Sequence, residues 1–198
     1  MLKEITIEYI YHSGFSVKFE DQNFIFDYYK GKLPSFKSPT AFFVSHSHDD
    51  HYNPEIFNLK GDTPYKYILS SDIKSYEKKE NIIDLGSSEN VENLKHMYSE
   101  NSYHIKEGDN LILDNFSVRA FPSTDKGVSF LVNYHGINIF HAGDLNLWVW
   151  DEDTPEEKEQ MYERFTSIIK EISIYDIDIA FFPLDPRLGQ RYADGFNM

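Results

Sequence analysis

The stretch Ala41-Phe42-Phe43-Val44-Ser45-His46-Ser47-His48-Asp49-Asp50-His51 joins a short unbroken apolar run to a cluster of histidines and aspartates. A continuous apolar run of that length fits a strand buried on both faces, where neither side meets water. Side chains two apart in an extended chain share a face, so His46, His48 and Asp50 project together, and a turn at Asp50 brings His51 into the same space. Neutral imidazole and carboxylate suit Zn²⁺, Fe and Mn²⁺, and the cluster is too large for one ion that keeps an open position, so two metals are expected. The sequence contains no cysteine. Any metal therefore falls to His, Asp or Glu, and a disulfide framework and a thiolate nucleophile are both excluded.

Working outward, the segments Ile5 to Tyr11, Gly14 to Glu20 and Asn23 to Tyr28 read as strands of antiparallel hairpins, followed by a loop with Gly31, Pro34 and Pro39. After the motif, Lys66 to Leu69 reads as a strand, a short helix follows Ser70 or Ser71, and Asn81 to Leu85 reads as a further strand. From Ser102 to Phe140 strands return, punctuated by Gly108-Asp109, Asp125-Lys126-Gly127 and His135-Gly136. The clearest helix starts at Thr154-Pro155-Glu156-Glu157, where Thr154 caps, Pro155 suits the first turn and Glu157 completes a capping box. Met161, Phe165, Ile168, Ile169 and Ile172 form its apolar stripe, and Ile177 to Phe182 is expected as another buried strand. The fold class is α+β, and the length of 198 residues fits a single domain over 1–198.

A second apolar strand, Ile139-Phe140-His141-Ala142-Gly143-Asp144, also ends in a carboxylate, which is expected to bridge the ions. At this point the sequence resembles the metallo-β-lactamase fold superfamily: H-x-H-x-D-H matches His46, His48, Asp50 and His51, and Gly143-Asp144 matches the later Gly-Asp element. His12-Ser13-Gly14-Phe15 and Ile25-Phe26-Asp27 extend the likeness, which looks closest to the stand-alone, lactonase-like branch of metal-dependent hydrolases. The resemblance implies an αββα sandwich with the metals at one sheet edge. It implies a metal-bound hydroxide that cleaves a small ester, lactone or phosphodiester, with Asp50 holding it in place and relaying a proton. It also implies one or two divalent ions, zinc first and Mn or Fe as alternatives, held by His46, His48 and Asp144 on one side and Asp50, His51 and Asp144 on the other.

Two departures stand out. The loop Phe121-Pro122-Ser123-Thr124-Asp125-Lys126-Gly127 lacks the histidine usual in the family, leaving Asp125 either as a substitute ligand or as a turn residue. The family's last histidine follows a strand beyond Ile177 to Phe182. The chain is expected to be C-terminally incomplete, lacking that closing strand, and to form homo-oligomers through the edge so exposed. Around the site, His12 either approaches from the opening hairpin or is structural, Asp27 either orients an imidazole or forms a turn, and His141 is a candidate to support a metal ligand from behind. Arg187 either clamps an anionic substrate or pairs with Asp185. Trp148 and Trp150 either wall a pocket, pack in the core or line a dimer surface. His96, His104 and His135 read as surface histidines.

Composition narrows the function further. A hydrophobic share of 40% excludes a disordered chain. Lys+Arg 19 against Asp+Glu 33 gives 19 − 33 = −14, a field that repels nucleic acid and anionic membranes. A nuclease is therefore disfavoured, and a small-molecule substrate is the expected partner. The amino terminus shows no secretory pattern and no window approaches the ~20 apolar residues of a membrane span, so a cytoplasmic location is expected. The rival to an enzyme is a truncated or degenerate member that keeps fold and metal without turnover.

Overall fold

The computed structural model describes residues 4–59, 61, 65–73 and 101–198. The expected helix after Ser70 or Ser71, the expected strand Asn81 to Leu85 and His96 lie outside the described residues. The chain divides into two compact units, Met1–His104 and Ile105–Met198.

The first unit is built on a six-stranded sheet in the order β1-β2-β3-β4-β5-β6. Strands β1 (Thr6–Tyr11) and β2 (Gly14–Lys18) form a hairpin turning at His12 and Ser13, with Tyr9 opposite Phe15. Strand β3 (Asn23–Phe26) adds to β2 antiparallel, and β4 (Thr40–Val44) lies parallel between β3 and β5 (Lys66–Ser70). All five residues of β4 are buried, as its apolar composition requires of a strand with neighbours on both sides. Phe43 stacks on Phe26 of β3, with ring centroids 4.8 Å apart. Phe42 and Val44 point to the other face, into a cluster with Tyr67, Leu69, Ile56 and Phe57. With both faces packed, a one-residue slip of β4 would exchange the two sets of side chains, so its register and carboxyl end are firmly set. Strand β6 (Ser102–Ile105) is the other edge of this sheet.

The second unit carries a five-stranded sheet in the order β11-β10-β9-β8-β7. Strands β7 (Asn110–Ile112), β8 (Phe116–Pro122), β9 (Val128–Tyr134) and β10 (Ile137–His141) are mutually antiparallel. His135 and Gly136 link β9 to β10 with φ of +51° and +85°, the pair of positive angles that a tight hairpin turn needs. Helix α1 (Pro155–Ile172) then crosses over to β11 (Ile179–Phe181), which pairs parallel with β10. The capping box forms as the sequence indicates, with Thr154 Oγ1 accepting from the Glu157 N–H and Glu157 accepting from the Thr154 N–H. Phe165, Ile168 and Ile172 of the stripe are buried against Phe121, Phe140, Leu145 and Leu147, while Met161 and Ile169 are partly buried. The short helix α2 (Asp194–Asn197) closes the chain.

One sequence expectation changes and another is met. The strand expected over Ile177 to Phe182 is only three residues long and half-exposed, and among the described residues β11 is an edge strand with a hydrogen-bonding neighbour on one side alone. The turn expected at Asp50 forms, with Asp49 and Asp50 at its corner, as the N–H groups of both His51 and Tyr52 donate to His48 O at 3.0 Å. Two sheets with few helices make this the α+β fold of the metallo-β-lactamase type. No helix among the described residues is long and apolar enough to cross a membrane.

Candidate metal centre

Past Val44 the chain leaves β4 under the control of one buried carboxylate. Asp27, just after β3, has φ +44°, a left-handed conformation that aspartate tolerates better than most side chains. Its backbone N–H donates to Phe43 O at 2.8 Å, and its side chain is fully buried. A buried carboxylate costs several kcal/mol unless its lone pairs are met. Here Oδ1 accepts the Ser45 N–H at 2.7 Å, while Oδ2 accepts the Ser45 hydroxyl at 2.6 Å and His51 Nδ1 at 2.8 Å.

This network assigns the tautomers of two imidazoles. A carboxylate only accepts, so the Ser45 proton and the His51 Nδ1 proton both point at Asp27. With its one proton committed, Ser45 Oγ accepts from His46 Nδ1 at 3.0 Å. His46 and His51 thus carry their protons on Nδ1 and present Nε2 as a lone pair, the arrangement that a neutral imidazole ligand requires. Both residues are buried, with ring centroids 4.1 Å apart.

The exposed half of the cluster is set by the turn. Asp72, which the sequence reading did not single out, accepts the Ser47 N–H at 3.0 Å and so holds the chain between His46 and His48. His46 Nε2 lies 3.0 Å from His48 Nδ1. Two nitrogens on one tetrahedral zinc stand about 3.3 Å apart when each bond is about 2.0–2.1 Å. His12, in the β1–β2 turn with φ +53°, places Nε2 3.3 Å from Asp50 Oδ2. Ser13 Oγ, to which the sequence reading gives no role, donates to Asp50 O at 3.1 Å. In this unit, His46, His48 and Asp50 form one group, and His12, Asp50 and His51 another, whose ligand atoms lie within 4.8 Å of one another. The donor set, nitrogen and carboxylate oxygen with two lone pairs fixed from behind, fits a divalent transition metal.

The second unit gathers the remaining candidates around the end of β10. Gly143, with φ +55°, donates its N–H to His141 Nδ1 at 3.1 Å, so the buried His141 shapes the turn that delivers Asp144. Thr124 Oγ1 donates to Asn146 O at 2.6 Å and accepts the Asn146 N–H at 3.0 Å. That clamp ties the loop after β8 to the loop after β10 and brings a carboxylate oxygen of Asp125 within 4.8 Å of one of Asp144. Neither Thr124 nor Asn146 carries a sequence signal, because their meeting depends on the sheet. Arg187 grips Asp185 through Nε at 2.9 and 3.0 Å and through Nη2. Hydrogen bonding from Arg187 holds the Asp185 carboxyl below its ordinary range.

A two-sheet α+β fold with a histidine and aspartate cluster at the carboxyl end of a buried parallel strand is the arrangement of the metallo-β-lactamase superfamily. The chain belongs to the family described as the beta-lactamase superfamily domain, whose model matches residues 6–160. Among solved structures it is similar to a candidate metal-dependent hydrolase from Parabacteroides distasonis, with 20% identity over 92% of this chain and 71% of that chain and a TM-score of 0.52. It is also similar to CmlA, a diiron β-hydroxylase from Streptomyces venezuelae, with 16% identity over 91% of this chain and 34% of that chain and a TM-score of 0.52. At these identities the likeness is one of fold. No curated protein sequence matches the chain.

Proposed function

We propose that the protein hydrolyses a small anionic ester, lactone or phosphodiester in the cytoplasm with the help of one or two divalent ions, zinc foremost. Since one fold serves both a diiron hydroxylase and a candidate hydrolase, the argument rests on the site. The observation that carries it is the Asp27 network, which fixes two imidazoles with their lone pairs outward. His46, His48, Asp50 and His51 would hold the metal, and the family pattern adds Asp144, with Asp125 in the place of the usual histidine. Such a metal supplies Lewis acidity, lowering the pKa of water and drawing negative charge from a carbonyl or phosphoryl oxygen. Asp50, exposed and next to His12, takes up at a carboxylate oxygen the proton that the attacking water gives up. His12 Nε2, 3.3 Å from that carboxylate, steadies it. A panel of esters, lactones and phosphodiesters tests the reading. Hydrolysis should be abolished by chelator and by His46→Ala, and turnover that survives both would overturn it.

A further inference from the structure

The sequence contains two tryptophans, and both stand in the loop that follows Asp144. Trp148 donates Nε1–H to Asp144 O at 2.8 Å, which fixes its ring to the backbone of the candidate ligand. Trp150 lies nearly parallel to it, with 6.0 Å between ring centroids and 11° between planes. Arg187 places its guanidinium carbon 5.7 Å from the centre of the Trp150 ring. Trp148 and Trp150 are half-exposed, while the intervening Val149 is buried.

The arrangement is held from several directions. Asp185 fixes Arg187, and Asp153 Oδ2 accepts the Trp150 N–H at 2.7 Å. Arg191, past a kink at Gly189 from Arg187, donates to Val149 O at 3.3 Å and pairs with Asp151. Neither indole belongs to the buried cluster that holds Phe121, Phe140 and Val149. Instead, both indoles are half-exposed, Trp148 anchored to the backbone of Asp144 and Trp150 beside it, with the Arg187 guanidinium against the Trp150 ring in a chain of net charge −14.

We propose that Trp148 and Trp150, with Arg187 against the Trp150 ring, form the platform on which an aromatic ring of an anionic substrate stacks beside Asp144. This rests on the hydrolase reading and narrows its substrate to compounds that carry a planar ring next to the anionic group. Aromatic rings gain from offset stacking beyond the area they bury, and the guanidinium attracts the anion.

The test compares 2-naphthoate with decalin-2-carboxylate, an anion of similar size without a planar ring, by equilibrium dialysis against the protein as isolated and after chelator treatment. The naphthoate should bind about tenfold more tightly in both states, about 1.4 kcal/mol. Trp150→Leu should bring the ratio below about twofold, and Trp150→Phe, which keeps a ring, should retain most of it. Arg187→Gln should weaken both anions alike. Equal binding of the two probes, or a preference that survives Trp148→Leu and Trp150→Leu, would overturn the platform. Metal content measured on the same samples keeps the readings apart: a preserved preference in a chain that takes up no metal would sink the hydrolase reading alone.

Discussion

His51 Nδ1 and Asp27 Oδ2 lie 2.8 Å apart, both buried, although 24 positions separate them in the sequence. The contact exists because β3 and β4 run parallel, so that the residues following them emerge at the same end of the sheet. Asp27→Asn keeps a side chain that tolerates the left-handed backbone but presents one acceptor oxygen where three donors converge. Metal affinity should fall about 10–100-fold, the usual cost of losing a partner behind a ligand. Titration with zinc in a competitive chelator buffer measures this, and an unchanged affinity would remove Asp27 from the centre.

Ser45→Ala should act on His46 alone. It deletes the hydroxyl that accepts from His46 Nδ1 and leaves the His51 contact with Asp27 in place. Nitrogen-resolved NMR of the histidines should show a change of tautomer at His46 and none at His51. A spectrum unchanged at His46 would contradict the proton assignment.

Asp144→Ala should reduce the occupancy of both ions together, as expected of a shared carboxylate. The backbone carbonyl that holds Trp148 remains, so tryptophan emission should be little altered. Metal stoichiometry that falls by one ion while the other stays tightly bound would show that Asp144 serves a single site.

The capping box makes a prediction about stability. Thr154→Ala should lower it by about 1 kcal/mol and the Tm by about 2–4 °C. The Thr154 N–H and hydroxyl hold the Glu157 carboxyl below its ordinary value. A depressed carboxyl stabilises the fold above its unfolded pKa of about 4.3 and loses that contribution as pH falls through the lower folded value. The difference in thermal stability between the native chain and Glu157→Gln should therefore be present at pH 7 and vanish in acid. A difference that grew on acidification would contradict the assignment.

The strand that feeds the motif was legible because four apolar residues leave no solvent face, and the helix because its cap and stripe are local signals. The histidine cluster was legible for the same reason: its members sit within a few residues of one another. What surrounds it was not. Asp27 carried two readings in the sequence, and its bonds to Ser45 and His51 depend on parallel strand pairing that spacing does not reveal. Asp72, Ser13 and the Thr124–Asn146 clamp are ordinary polar residues until the sheets place them. The shortness of β11 likewise follows from where hydrogen-bonding neighbours stop, which no local pattern encodes.

The most direct test is elemental analysis of the purified chain after zinc loading and desalting, set beside His48→Ala. The account predicts at least about one divalent ion per chain, with metal content and metal-dependent melting temperature both reduced in the variant. A native chain that retains no metal, together with a His48→Ala variant that changes neither quantity, would contradict it.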